Sequence, residues 1–321
     1  MQKFIISLGL IFLGLVIGQS IKKLVDNKLI SESIPIEKYF ISLRIIALLV
    51  LNPITSIGAF WILKIEDMRL IAIPFLGLSA LVLGGAVGYL AAMIMKLDKK
   101  QRGSLFLSAS FTNLGSFGGL ICFIFFGEVS YAYVSMYKIF EQLYYYIIGY
   151  PIAKAHGTSK SNKNNLFKII LDPYILVALL SIVIGLILNT NGITRPEIYS
   201  NINNFLIPTS SLLLVASVGF KMRLTVVKDY IKESLVVSAI KFLIIPVVIT
   251  YIAYLIGIGE ISDGLPLKVV LVLSAMPPAF NSLVPPQIYK LDEDLANSSW
   301  LFNTGALIIV LPILYFIQSI F

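Results

Sequence analysis

The chain contains 321 residues, of which 58% are hydrophobic and only 13% are charged, and its mean hydropathy is +0.90. Soluble domains have about 25% charged residues, so this composition excludes an ordinary water-soluble protein and indicates a surface that faces lipid. The formal charge of +8 is spread over short segments between apolar runs, which excludes a nucleic-acid-binding face. The single cysteine and single histidine, Cys122 and His156, exclude an intramolecular disulfide framework and a multi-histidine metal site.

Apolar stretches separated by polar residues predict ten helices that cross a membrane, and hence an all-α membrane protein. The stretches suit the hydrocarbon core of a bilayer, which a helix of about 20 residues crosses. The second, fourth, seventh and ninth spans contain proline, glycine or polar residues in their interiors. In chain order the predicted spans cover residues 4–21, 39–62, 70–95, 104–126, 130–153, 168–189, 203–222, 231–257, 267–289 and 296–320.

Basic residues in the loops predict the orientation of the spans. Each loop after spans one, three, five and seven contains four Lys or Arg residues, and the loop after span nine adds Lys290. The even-numbered loops contain only Lys64, Arg69, Arg195 and Lys268. Because Lys and Arg are retained in the cytoplasm during insertion, the odd-numbered loops are predicted to be cytoplasmic. The chain is therefore expected to be a multi-pass protein of the plasma (inner) membrane, with both termini extracytoplasmic and a cytoplasmic central loop.

A polar segment rich in Lys, Ser and Asn divides the chain into nearly equal halves. The predicted boundaries are a five-helix repeat at 1–153, a cytoplasmic linker at 154–167 and a second five-helix repeat at 168–321. Because each repeat has an odd number of spans, the second enters the membrane with opposite polarity, which is typical of inverted repeats. An offset of 166 residues aligns Leu107-Ser108-Ala109 with Leu273-Ser274-Ala275 and favours this interpretation.

On the same offset, helix-breaking segments coincide in the fourth and ninth spans. The fourth contains Thr112-Asn113-Leu114-Gly115, and the ninth contains Pro277-Pro278-Ala279-Phe280-Asn281. Proline removes a backbone donor and glycine favours unwinding, and unwound backbone at membrane depth is tolerated only inside protein or beside a watery cavity. Two broken helices that meet near the midplane predict a binding site for an anion and a coupling cation. The alternative is that these residues only kink two packed helices.

The residues at these two breaks resemble motifs of the auxin efflux carrier family, which includes plant carriers and bacterial permeases of malate- or malonate-like acids. The segment 113–119 resembles the fourth-helix pattern Asn-x-Gly followed by a second glycine, and 276–281 resembles the ninth-helix pattern Met-Pro-Pro-Ala-x-Asn. Pro53, Pro208 and Gly219 also fit the family, whereas Leu120 and Pro285-Pro286 depart from it. The resemblance implies a fold similar to bile-acid/sodium symporters, with broken helices 4 and 9 crossing and helices 1, 2, 6 and 7 forming a scaffold through which a homodimer assembles.

The predicted substrate-binding residues lie on the two breaks. Amide groups of Asn113 and Asn281 suit a carboxylate, and their carbonyls suit a cation or water. In the alternative interpretation each asparagine caps its own broken helix. The complete set predicted to bind substrate comprises Asn113, Gly115, Pro277, Pro278 and Asn281.

Three charged residues within predicted spans are candidates for ion coupling or anion binding, because an isolated charge there is costly. Glu141, with Lys138 three residues before it, either forms a structural ion pair or accepts a coupling proton or sodium ion. Lys241 has no acid nearby in the sequence and is a candidate anion contact. The tyrosines at 144–146 are predicted to belong to an aromatic belt at the membrane interface and receive no functional role.

These features predict a secondary active transporter of a small organic anion, such as a mono- or dicarboxylate, that works by alternating access around the crossing helices. The alternative from another class is a passive solute channel that uses the same polar breaks to line a pore. An enzyme is not expected, because no multi-histidine metal motif, Gly-x-Ser-x-Gly elbow or phosphate-binding loop is present. The expected partners are the anion and the lipid bilayer. No cofactor is expected other than sodium or a proton as the coupling ion.

Overall fold

The computed structural model describes residues 2–31, 34–63, 67–158, 173–222 and 227–318. Over these residues the chain is helical without a β-strand, and an isolated bridge joins Thr112 to Pro278. The predicted all-α class is therefore confirmed for the described residues. Of the predicted linker at 154–167, residues 159–167 lie outside the description, as do the loop residues Lys64, Lys160, Lys163, Lys168 and Arg223. Residues 154–156 extend the preceding helix.

The helices are labelled here in chain order, with short 3₁₀ turns left unlabelled. They are α1 (Gln2–Asp26), α2 (Ile36–Trp61), α3 (Met68–Ile94), α4 (Lys99–Ser110), α5 (Leu114–Phe126), α6 (Ser130–Tyr137), α7 (141–156), α8 (Pro173–Thr190), α9 (Ile198–Lys221), α10 (Lys228–Leu255), α11 (Leu265–Ser274), α12 (Val284–Tyr289) and α13 (Glu293–Ile317).

Seven helices in the described part of the chain are long and apolar enough to cross a membrane, namely α1, α2, α3, α8, α9, α10 and α13. These lengths and compositions are those of a multi-pass membrane protein. The predicted spans 104–126, 130–153 and 267–289 are not continuous helices. Each appears as two shorter helices, the pairs α4 and α5, α6 and α7, and α11 and α12.

The chain forms two compact units, each drawing helices from both sides of the predicted linker. The first unit contains residues 1–64, 115–135 and 173–222. Its helices α1 and α9 pack closely together. A Cβ on Gly219 would lie 2.5 Å from the carbonyl oxygen of Leu15, so this backbone approach requires glycine.

Polar side chains lie between the apolar helices of the first unit. The side-chain oxygen Asn52 Oδ1 accepts hydrogen bonds from Ser210 Oγ (2.5 Å) and Tyr131 OH (3.3 Å). The bond from Ser210 joins α2 beside Pro53 to α9 beside Pro208, and the bond from Tyr131 joins α2 to α6. Buried polar atoms in an apolar bundle require such partners. Elsewhere in the unit, Arg195 forms an ion pair with Glu128, whose carboxylate also accepts from Asn203 Nδ2.

The second unit contains residues 65–114, 136–172 and 223–321. Side-chain caps start two of its helices. Asp98 accepts from the Gln101 amide (2.9 Å) in a capping box that opens α4, and Asp292 accepts from the Leu295 amide (2.9 Å) before α13. These caps accept hydrogen bonds from amide groups in the first turn, which have no partner within the helix.

The loop before α3 is joined to the turn after α10 by a cluster of charged residues in the second unit. Arg69 contacts Asp67, the Gly257 carbonyl (2.9 Å) and Glu260 Oε2 (2.6 Å). Hydrogen bonds from Arg69 hold the pKa of the Asp67 carboxyl below its ordinary value. The cluster thus ties the start of α3 to the end of α10.

Candidate functional site

Two interrupted helices meet through extended backbone segments that both belong to the second unit. Thr112 forms an antiparallel bridge with Pro278. On either side of it the Asn113 amide donates to the Pro277 carbonyl (2.9 Å), and the Ala279 amide donates to the Phe111 carbonyl (3.0 Å). We call residues 111–113 and 277–279 the crossover. This pairing satisfies backbone groups that leave the helical pattern inside an apolar protein.

The local sequence explains why both helices end at the crossover. The helix α4 stops where Phe111 adopts an extended conformation, with φ −70° and ψ 128°. The helix α11 stops before two prolines that have no backbone N–H, and a residue before proline is disfavoured in the helical region. A 3₁₀ turn at Phe280–Leu283 then leads into α12.

The last carbonyls of α4 have lost their helical partners and are satisfied in other ways. The Leu114 amide, which would donate to the Ser110 carbonyl in a continuous helix, donates to the Thr112 carbonyl instead (2.9 Å). The Ser110 carbonyl accepts from Thr112 Oγ1 (3.3 Å) and from Lys241 Nζ (3.1 Å).

Lys241 extends from α10 to the crossover and is completely buried. Its Nζ donates to Thr112 Oγ1 (2.7 Å) as well as to the Ser110 carbonyl. From the sequence, Lys241 was predicted to be a charge within a span without an acid nearby. Its neighbours could not be predicted, because Thr112 lies 129 residues away along the chain.

Glu141 is linked to the crossover through Tyr145. The Tyr145 hydroxyl lies 2.7 Å from Glu141 Oε1 and 3.3 Å from the Thr112 carbonyl, and its ring stacks on Phe111 with centroids 3.8 Å apart. Glu141 is the first residue of α7 and is partly buried. Tyr145 was given no functional role from the sequence, although its spacing of four residues from Glu141 places both on one helical face.

The tyrosines of the aromatic run differ from the predicted interfacial belt. Tyr144 and Tyr145 are 3% and 1% exposed, so they do not face lipid. The Tyr144 hydroxyl lies 2.7 Å from Ser110 Oγ and donates to the Leu81 carbonyl (3.2 Å). Two of the three tyrosines therefore pack around the end of α4.

Lys138 does not share a continuous helix with Glu141 as predicted. Residues 138–140 form a turn between α6 and α7, in which the Glu141 amide donates to the Lys138 carbonyl (3.0 Å). Lys138 remains close enough to attract Glu141 electrostatically. The pair is therefore retained, but at an interruption rather than in the middle of a span.

Four of the five predicted substrate-binding residues belong to the second unit and lie at or beside the crossover. Asn113, Pro277 and Pro278 are buried, and Asn281 is half-buried in the turn that follows. Gly115 lies two residues after Asn113, in the first turn of α5, and belongs to the first unit. A Cβ placed on Gly115 would meet no heavy atom within 4 Å.

Two buried serines beside the crossover have unused hydrogen-bonding capacity. Ser108 Oγ on α4 and Ser282 Oγ on the following 3₁₀ turn have no partner among the described residues, and both side chains are 0% exposed. The two elements that position them pack against each other. Because buried hydroxyls normally form hydrogen bonds, these two groups are available to bind a polar ligand. Neither serine was singled out from the sequence.

The described residues contain no group of three His, Cys, Asp or Glu side chains that could hold a metal ion. No protein-family model matches the chain, and a search of curated proteins finds no relative. The relationship to auxin efflux carriers therefore rests on the motifs at 113–119 and 276–281 and remains a proposal.

Proposed function

We propose that this chain is a secondary active transporter of a small organic anion, such as a mono- or dicarboxylate, that works by alternating access around the crossover. One observation carries the proposal. The two broken helices are joined through Thr112 and Pro278, with buried polar groups around the pairing. Interrupted helices at membrane depth are the elements from which many secondary transporters build substrate and ion sites.

The register of the crossover supports an architecture of two inverted repeats. The 166-residue offset that aligns 107–109 with 273–275 also aligns Thr112 with Pro278, the two residues that form the bridge. Residues related by a two-fold axis face each other when they lie on that axis. The proposed fold therefore has ten spans, seven continuous and three interrupted, with the broken fourth and ninth spans meeting at their equivalent positions.

The composition of the two units favours the division into scaffold and transport domain that the family resemblance implies. Besides α5 and part of α6, from predicted spans four and five, the first unit contains α1, α2, α8 and α9, which correspond to predicted spans one, two, six and seven. We assign them to the scaffold, through which a homodimer assembles, and the second unit to transport. We further propose that both termini lie on the extracytoplasmic side of the inner membrane and that the central loop lies in the cytoplasm.

The roles proposed for individual residues follow from their positions. We assign substrate binding to Asn113, Pro277, Pro278 and Asn281 at or next to the crossover, and to Gly115, which follows Asn113 by two residues in the chain. Glu141, with Lys138, couples transport to a proton or sodium gradient, because the Tyr145 hydroxyl joins its carboxylate to the crossover. Lys241 supplies the positive charge that an anionic substrate requires.

A carrier is favoured over the alternative of a passive channel. Phe111, Thr112 and Ala279 are between 0% and 6% exposed, and backbone hydrogen bonds close the two segments against each other. A site closed in this way suits alternating access rather than a continuous pore. The proposal includes no enzymatic activity.

Proteoliposomes containing the purified protein test this proposal. Uptake of radiolabelled acetate, lactate, malonate and malate is measured under imposed proton or sodium gradients, with protein-free liposomes as the control. A carrier gives saturable, gradient-driven accumulation of at least one acid. No accumulation of any of these acids by folded, inserted protein would contradict the proposal, and steady single-channel currents would favour the channel.

A further inference from the structure

The side-chain nitrogen Nζ of Lys241 lies at the C-terminal end of α4. It donates to Thr112 Oγ1 (2.7 Å) and to the Ser110 carbonyl (3.1 Å), and the Lys241 side chain is completely buried. The Ser110 carbonyl is available because the Leu114 amide bonds to the Thr112 carbonyl instead. An interrupted helix thus ends on the side-chain nitrogen of a lysine from another helix.

The two oxygens that Lys241 Nζ contacts are suitable ligands for a metal cation. The C-terminal end of a helix carries about half a negative elementary charge, and backbone carbonyl oxygens are typical ligands of hard cations. In transporters with broken helices, C-terminal half-helix ends coordinate the coupling ion. In this chain Lys241 Nζ occupies that position.

The charged groups on the elements packed around α10 are remote from the middle of the helices. Lys241 is on α10, which packs against α3, α4, α11 and α13. Two ionisable side chains contact the residues to which Lys241 donates. Tyr144 contacts Ser110, and Tyr145 contacts Thr112 and forms a hydrogen bond with Glu141. The charged residues of the four packed helices lie in their first turns and are Arg69, Lys99, Lys100, Arg102, Lys268, Glu293 and Asp294.

We propose that Lys241 is the built-in cation of the crossover, so that a proton carried on its Nζ takes the place of a sodium ion. This inference rests on the proposed transport function. A charged lysine inside a membrane protein is costly without a counter-ion, so the anion and the proton enter together. Both leave on the other side, and Lys241 returns neutral. One proton thus accompanies each anion, and sodium has no place at the end of α4.

Thermal unfolding of the purified protein tests the cation position without any substrate. The midpoint is compared in sodium chloride and in choline chloride at equal ionic strength. We expect wild type to unfold at the same temperature in both salts. Lys241→Ala leaves the two oxygens open, so sodium is expected to raise its midpoint by about 2–4 °C over choline.

Lys268→Ala is the matched control, because Lys268 belongs to the same unit but is only half-buried and donates to the Asp263 carbonyl (3.2 Å) rather than to the crossover. It is expected to show no difference between the salts. If Lys241→Ala does not fold, Lys241→Gln is used instead, because it removes the charge with a smaller loss of contacts. Its unfolding midpoint is also expected to be higher in sodium than in choline. Sodium stabilisation of wild type, or indifference of the Lys241 variants to sodium, overturns the inference.

Uptake of radiolabelled malonate separates this inference from the proposed function. Wild type is expected to accumulate malonate on a proton gradient without sodium, whereas Lys241→Ala loses the proton drive and responds to sodium. Lys241→Arg, which keeps its charge, is expected to exchange malonate without accumulating it. Failure of wild type to transport malonate counts against transport of this acid, and the unfolding comparison still decides the role of Lys241.

Discussion

Tyr145 and Glu141 lie one helical turn apart on α7, and the Tyr145 hydroxyl donates to Glu141 Oε1 over 2.7 Å. The same hydroxyl lies 3.3 Å from the Thr112 carbonyl. A hydroxyl has one proton to donate, so it serves an ionised Glu141 or the crossover carbonyl. When Glu141 is protonated, its own proton can be donated to Tyr145, which frees the tyrosine proton for Thr112. We therefore predict that a change in the protonation of Glu141 changes the hydrogen bonding at the crossover.

Substitution of either Glu141 or Tyr145 is expected to uncouple transport from the proton gradient. Glu141→Gln cannot take up a proton, and Tyr145→Phe has no hydroxyl, so in neither variant can the ionisation of residue 141 act on the crossover, where Lys241 carries the transported proton. Both variants are expected to retain exchange of a transported acid across the membrane but to lose accumulation driven by a pH gradient, at least about tenfold. The measurement is uptake with and without the gradient in proteoliposomes.

Glu197→Gln provides the control for these variants, because Glu197 is exposed and belongs to the first unit. It should retain the pH dependence of wild type. Unchanged pH dependence in Glu141→Gln would return Glu141 to a structural role, and a normal Tyr145→Phe variant would remove Tyr145 from the coupling.

Substitution of the crossover asparagines is expected to reduce transport without unfolding the protein. Asn113→Ala and Asn281→Ala remove amide donors suited to a carboxylate, and a hydrogen bond to a charged group contributes about 1.5–3 kcal/mol. This corresponds to roughly a tenfold to hundredfold weaker apparent affinity for the acid, measured as the concentration that half-saturates uptake.

The matched control is Asn191→Ala, since Asn191 is exposed and its Nδ2 donates to the Ile187 carbonyl (2.7 Å). It should transport like wild type. Wild-type kinetics in both crossover variants, at equal amounts of folded protein, would refute the substrate site at the crossover.

The packing of α1 against α9 is expected to be intolerant of a larger residue at Gly219. A Cβ there would lie 2.5 Å from the Leu15 carbonyl, which is backbone and cannot rotate away. Gly219→Val is expected to cost about 1–3 kcal/mol and to lower the unfolding midpoint by several degrees. The measurement is thermal unfolding of the purified protein.

Gly9→Ala is the comparison for this variant, because Gly9 is on α1 and a Cβ there meets nothing within 4 Å. Its midpoint should stay the same or rise, since alanine favours a helix more than glycine does. An equal loss of stability in both variants would show that close packing is not the cause.

The ion pair between Glu128 and Arg195 is expected to show strong coupling in a double-mutant cycle. The two side chains are 10% and 12% exposed, so truncation of one leaves a nearly buried charge unpaired. Glu128→Ala is expected to cost about 3–5 kcal/mol of unfolding free energy. The double variant with Arg195→Ala should cost less than the sum of the two single variants. Additive losses in the denaturant unfolding of these variants would contradict this coupling.

The sequence by itself determined the features that depend on local composition. Apolar runs predicted the helices, and the prolines at 277–278 and the segment at 112–115 predicted where α11 and α4 end, because proline and glycine act on their own turn of backbone. The interruption at 138–140 was missed, since no proline or glycine marks it.

Only the tertiary structure decided which side chains meet at the crossover. Lys241 reaches Thr112 across 129 residues, and Tyr145 reaches the same residue across 33. Helical periodicity predicts the face on which a side chain lies but not which helix packs against that face. The exposed-belt prediction failed for Tyr144 and Tyr145 for this reason. Their burial depends on α4 ending beside them, and the pairing of two breaks far apart in the chain fixes that position.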